Sequence, residues 1–211
     1  MALRRLAHCF LAAAISFGGV AAVTASPASA APLLTAAKGR TRAPDALADQ
    51  AQLAFVLLGT SSGYGAALDS IATEVAHRAE VDPARLSAAW RAADVAHQRA
   101  LLAALSQLGV PYRHNASKEG VAFDCSGLTS FAWGRAGVTL ARQSRAQITA
   151  AEARTASTVM AGDLVYYPGH VMMYLGVDDA IVHAPEPGRN VQIDNVTQRR
   201  QRSIRFGDPA A

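Results

Sequence analysis

Three residues of this chain could do chemistry together: Cys125, His170 and His183. Cys125 lies in Gly120-Val121-Ala122-Phe123-Asp124-Cys125-Ser126-Gly127-Leu128-Thr129, where Gly120 supplies a turn and Asp124 a helix N-cap. A thiol in the first turn of a helix sits near the positive end of the macrodipole, which favours the nucleophilic thiolate. Such a nucleophile needs a base within hydrogen-bond reach and a third group to orient that base. His170 follows Pro168-Gly169, and His183 comes thirteen residues later, across Asp178-Asp179. In an antiparallel hairpin two such positions can lie close together on one face. The spacing therefore admits Cys125 as nucleophile, His170 as base and His183 as the residue that fixes the base's tautomer. It equally admits an inert, buried thiol and structural histidines. A zinc site built from the three lacks CxxC or HExxH spacing and has no evident further ligand, so no metal is expected.

The elements that would position these residues follow from periodicity. Leu128, Phe131 and Ala132 fall at i, i+3 and i+4, so Ser126 to Ala136 reads as a helix with one face inward. Gln143 to Ile148 reads as a short helix or loop. Beyond Ala161 the period falls to two, and Asp163 to Tyr167, His170 to Leu175, Ala180 to Ala184 and Val191 to Asp194 read as strands. The end carrying Arg199, Arg200, Arg202 and Arg205 reads as a solvated tail rather than a last strand. Upstream, Ala46 to Leu58 and Ala66 to Ala79 read as helices. Asp82-Pro83 then opens one long helix through Leu108, stopped by Gly109. His77 and His97 sit among charged neighbours in these helices and read as solvated. No phosphate, nucleotide or metal motif appears in this half, and no cofactor is expected. A helix bearing the thiol followed by an antiparallel meander is an α+β plan.

At 211 residues and 51% hydrophobic composition the chain can bury a sizeable core, although alanine supplies much of that share. Residues 1–30 read as a secretory signal: Arg4 and Arg5 form a charged start, Leu6 to Val23 is apolar, and Ala28-Ser29-Ala30 fits a cleavage site. With the leader removed no stable membrane span is expected, and the protein would be secreted or held in the cell envelope. Residues 31–45 read as a flexible lead-in. Cleavage leaves Cys125 as the sole cysteine. An exported chain with one thiol closes no internal disulfide, and an exposed thiol outside the cell is an oxidation liability, which favours a chemical role. The formal net charge is +4, of which Arg4 and Arg5 supply two, leaving too little to argue for nucleic acid.

Four stretches carry a family resemblance. Phe123-Asp124-Cys125-Ser126-Gly127-Leu128, Ala161-Gly162-Asp163-Leu164-Val165-Tyr166, Gly169-His170-Val171-Met172-Met173-Tyr174-Leu175-Gly176 and Val182-His183-Ala184-Pro185 resemble, in this order, the NlpC/p60 cell-wall peptidases. The resemblance implies a papain-like α+β catalytic domain at 109–211, preceded by a helical region at 46–108. By position it implies Cys125 as nucleophile, His170 as general base and His183 as the polar third residue. It implies Tyr112 beside the nucleophile, helping to polarise the substrate carbonyl, and Ser126 near the acceptor site. Two departures bear on substrate choice. Arg113-His114-Asn115-Ala116 stands where the family commonly has an aromatic residue and two glycines, and Leu140-Ala141-Arg142-Gln143-Ser144 where it often has Leu-Pro-Arg-x-Ser.

The function so implied is a secreted peptidoglycan hydrolase, a cysteine endopeptidase cutting stem peptides between D-glutamyl and diaminopimelate through a thioester. Two other classes compete: a thiol amidase or acyl transferase of the same fold, and a non-catalytic wall-binding protein. Fold alone does not separate them.

Overall fold

Aspartate caps open three of the four helices described in the N-terminal half. The computed structural model describes residues 42–43, 45–59 and 63–211, so the expected leader and most of the lead-in lie outside the described residues. Asp45 opens α1 (Ala46–Leu57) by accepting from the Leu47 amide at 3.0 Å. α2 (Tyr64–Ala79) ends at Glu80 in the left-handed conformation. Asp82 caps α3 (Pro83–Ala92) through the Arg85 amide at 2.7 Å, and Asp94 caps α4 (Val95–Leu105) through the His97 amide at 2.9 Å. The single long helix expected from Pro83 to Leu108 is therefore two. Ala93 is extended, and the Asp94 carboxylate satisfies donors that a continuous helix would have paired internally.

A small hairpin of β1 (Ser117–Lys118) and β2 (Ala122–Phe123) leads into α5 (Cys125–Arg135), and α6 (Ser144–Ala150) follows. The main sheet holds six antiparallel strands in the order β3-β8-β4-β5-β6-β7. These are β3 (Glu152–Arg154), β4 (Leu164–Tyr167), β5 (His170–Tyr174), β6 (Ala180–His183), β7 (Gln192–Asn195) and β8 (Arg205–Asp208), with α7 (Gln198–Gln201) between the last two. The arginine-rich end is thus no tail. β8 inserts between β3 and β4 because Ile204 and Phe206 pack with Val165, Met172 and Tyr174. Arg154 of β3 holds the buried Asp208 carboxylate at 2.5 Å.

Period-two alternation sorts β5 between two cores: Val171 and Met173 face the larger, Met172 and Tyr174 the smaller. The larger core is continuous from Leu47, Leu68 and Trp90 of the helices to Leu128 of α5 and Val182 of β6. Trp90 is fully buried and donates from its indole N–H to the Leu175 carbonyl at 2.7 Å. Residues of 46–108 and of 109–211 therefore share one hydrophobic interior.

His97 corrects a sequence expectation. It is 0% exposed, not solvated: Nδ1 meets Asp94 at 2.9 Å, while Nε2 meets Asp163 at 3.1 Å and Asp208 at 3.4 Å. Its ring stands edge-on to Trp133, 4.9 Å between centroids. Burial would depress this imidazole, but hydrogen bonds to Asp163 and Asp94 and the field of Asp94 and Asp208 outweigh it and raise it to about 8. An imidazolium there ties α4 to the residue before β4 and to the end of β8.

Candidate active site

The first turn of α5 is fixed from three sides. Asp124, 6% exposed, caps the helix by accepting from the Gly127 amide at 2.7 Å and takes the Asn115 amide at 2.9 Å on its other oxygen. Arg142 forks onto the same carboxylate at 2.6 and 2.9 Å, the bidentate geometry that best satisfies a mostly buried charge. Its Nη1 also donates to Ser126 Oγ at 2.9 Å. Gly127 has no alternative: a Cβ there would lie 2.0 Å from the Ala116 carbonyl oxygen. From α6, Gln147 donates to the Ser126 carbonyl at 3.0 Å and accepts from Thr129 Oγ1 at 2.7 Å. Cys125 is consequently held as the first residue of α5, half-buried and free of disulfide.

The histidines come from the sheet. Tyr167 pairs with His170 across Pro168-Gly169, and Gly169 takes the positive φ of +91° that this tight turn requires. His170 is 7% exposed, with the Tyr167 ring 5.3 Å from its own. The register of β5 with β6, continued by one pair, sets His183 opposite Met172, diagonal to His170 on the same sheet face. His170 Nε2 and His183 Nδ1 lie 2.9 Å apart. Burial lowers the His170 imidazole to about 3, with His183 and Arg200 adding to the effect, so it is neutral at physiological pH. With Nε2 engaged, Nδ1 is the nitrogen of His170 left free to act as a base.

Cys125, Ser126, Tyr112, His114, Arg145 and Gly169 line one cavity of about 440 Å³. α5 packs against β5, and Gly169, the residue before His170, lines the cavity with Cys125, while His170 itself is not among the lining residues. The cysteine sulfur has no hydrogen-bond partner among the described residues, as is common when catalytic contacts tighten only on substrate. Tyr112 is pinned by its amide to the Arg189 carbonyl at 2.9 Å and by a bridge to Phe123. Burial, then Cys125 and Asp124, raise its phenol against a smaller opposing effect of Arg142, so the hydroxyl stays protonated and can donate. Ser126 lines the cavity but its hydroxyl is engaged with Arg142. No described residue of α1 to α4 reaches this cavity. A larger one, about 710 Å³, lies beside β8 and the Asp178-Asp179 turn, and holds neither thiol nor imidazole. Among the described residues, His97, Asp163 and Asp208 are the grouping with metal-type donor atoms, within 4.8 Å of one another. Both ring nitrogens of His97 already face carboxylates, an arrangement that an imidazolium satisfies by itself.

Three residues of the site have roles that the motifs do not show. Arg142, read only as part of Leu140 to Ser144, and Gln147 act through the cap and first turn of α5, contacts that only the folded chain reveals. Asp194 stands on β7 with its carboxylate 3.7 Å from His183 Nε2.

Residues 109–205 match the model of the NlpC/P60 family. Among curated proteins it is similar to a "Probable endopeptidase" of Corynebacterium glutamicum, 36% identical over 120 residues covering 56% of each chain. It is also similar to "Dipeptidyl-peptidase 6" of Lysinibacillus sphaericus, 35% identical over 97 residues, 46% of this chain and 35% of that one. Among solved structures an NlpC/P60 family protein from Bacillus cereus aligns with a TM-score of 0.50 and 26% identity, covering 55% of this chain and 40% of the other. The chain spans about half the length, or less, of these relatives. The helix-and-antiparallel-sheet architecture is the α+β fold of that family.

Proposed function

We propose that the protein is a secreted cysteine endopeptidase of the cell envelope, hydrolysing peptidoglycan stem peptides at the bond between D-glutamyl and diaminopimelate. One observation carries the reading: a cysteine opening a capped helix and sharing a cavity with Gly169, next in sequence to a neutral imidazole, His170, whose Nε2 is bonded to a second imidazole at 2.9 Å. The names of the relatives, an endopeptidase and a dipeptidyl-peptidase, support peptide-bond hydrolysis.

In this reading Cys125 attacks the amide carbon while His170 Nδ1 takes the thiol proton, and the same nitrogen then protonates the leaving amine. His183 holds His170 in the tautomer that presents a lone pair to the thiol. The oxyanion is met by the Cys125 backbone N–H at the helix start and by the protonated Tyr112 hydroxyl. Water hydrolyses the thioester with His170 acting as base again. Digestion of sacculi followed by mass spectrometry tests the assignment. New N-terminal diaminopimelate, lost in Cys125→Ala, is the expected product; released lactyl groups would mean an amidase, and no Cys125-dependent product would end the reading.

A further inference from the structure

His183 has a buried ring nitrogen, Nε2, with no hydrogen-bond partner among the described residues. The acidic group nearest to it is Asp194 Oδ2, at 3.7 Å, an ion-pair separation just beyond hydrogen-bond length. The register explains the placement. His183 pairs with Gln192 and Ile181 with Asp194, so Asp194 lies diagonal to His183 on one face, as His183 does to His170. Three neighbouring strands thus each contribute one polar residue, His170, His183 and Asp194, to a line across one face of the sheet. Asp194 is itself oriented: Gln192 Nε2 donates to Oδ2 at 3.0 Å and the Asn195 amide donates to Oδ1 at 2.9 Å. Arg189 stands 4.0 Å from Oδ2.

We propose that Asp194 is a positioning residue that selects the tautomer of His183 and, through it, of His170. A carboxylate accepts only, so it favours the proton of His183 on Nε2. That choice leaves His183 Nδ1 as a lone pair, which must accept from His170 Nε2–H across the 2.9 Å contact. His170 then carries its proton on Nε2 and keeps Nδ1 unprotonated. The opposite choice, His183 protonated on Nδ1, reverses the chain and gives His170 an Nδ1–H, which cannot take a proton from a thiol. The same carboxylate stabilises the positive charge that His170 gains when it accepts that proton. The charged groups around the line are Arg189 beside Asp194 and Arg200, whose field opposes protonation of His170. Consistent with the geometry, His183 first, then a backbone hydrogen bond from Asn195, hold the Asp194 carboxyl down at about 2 against burial.

The role of Asp194 in turnover rests on the thiol-hydrolase reading, but the tautomer does not require it. Asp194→Asn keeps size while offering an amide N–H to His183. On ¹⁵N NMR, the wild-type His183 should show a protonated Nε2 and Asp194→Asn a proton shifted to Nδ1, with no substrate present. On sacculi or muropeptides, Asp194→Asn should lower kcat about 10- to 100-fold, the range for supporting partners of a reactive imidazole, with KM changed less than about twofold. Asp194→Glu should restore part of the loss. Unchanged tautomer and unchanged kcat in a folded Asp194→Asn protein would overturn the proposal. If wild type shows no Cys125-dependent cleavage, the reading of the function fails and the NMR result alone decides the tautomer.

Discussion

Raising the pH from 6 to 9 should weaken the fold through His97. The imidazole is fully buried and raised from 6.5 to about 8 in the folded chain. Its folded value exceeds its unfolded one, so the stabilisation is complete below 6.5 and is lost as pH rises through about 8. At about 1.4 kcal/mol per pH unit, the lost contribution is about 2 kcal/mol, an appreciable part of the total stability of a domain. The cause is specific: deprotonation leaves Asp163 and Asp208, both buried, with Arg154 as their remaining cationic neighbour on one side. Urea unfolding at pH 6, 7, 8 and 9 reads the effect as a falling midpoint at constant slope. His97→Gln removes the imidazolium outright. It should cost about 3–5 kcal/mol at pH 6, as for a broken buried pair, and flatten the pH dependence. An NMR titration of the His97 ring with its midpoint near 8 is the direct check should that variant fold poorly. A wild-type midpoint that stays level or rises between pH 6.5 and 9 would refute the reasoning, as would a His97→Gln protein that falls in parallel with wild type.

Other substitutions probe the site and its support. Tyr112→Phe should lower kcat about a hundredfold at most while the protein stays folded, since one oxyanion donor is lost and the Cys125 amide remains; a rate equal to wild type would remove Tyr112 from the mechanism. Gly127→Ala should cost about 3 kcal/mol or more and abolish turnover, because its Cβ would meet the Ala116 carbonyl at 2.0 Å; thermal unfolding beside a sacculus assay reads both. Trp90→Ala should destabilise by about 3–5 kcal/mol in denaturant melts, and a chain shortened to begin at Leu101 should lack cooperative unfolding. That expectation follows from Leu47, Leu68, Leu86 and Trp90 filling the same interior as Leu128 and Val182, and a shortened chain with normal unfolding would contradict it.

Much of the site was readable where the physics is local. Asp124 before Cys125 announced a helix start, and the observed cap is the carboxylate on the Gly127 amide. The apolar runs and turn residues from Leu164 to Asp194 marked the strands to within a residue or two, since β4, β5 and β6 bury almost all of their side chains and β7 pairs at their edge. What stayed hidden depends on distant partners. His97 looked solvated because Asp163 and Asp208 lie far along the chain, and only the closed fold brings them against α4. The strand at Arg205–Asp208 was masked by the arginines before it, although Ile204 and Phe206 are what seat it. The break at Ala93 turned on a capping aspartate inside a sequence that is otherwise helix-forming. Asp194 could have been found by extending the alternation of β7 two residues from the partner of His183, but nothing in the strand pattern alone says that His183 Nε2 needs a partner.

The central claim is that Cys125 opens an amide bond in peptidoglycan stem peptides with His170 as its base. The most direct measurement is mass spectrometry of sacculi digested by the wild-type protein beside Cys125→Ala. The account predicts fragments with a new N-terminal diaminopimelate from the first and none from the second. Identical product patterns from the two proteins would contradict it.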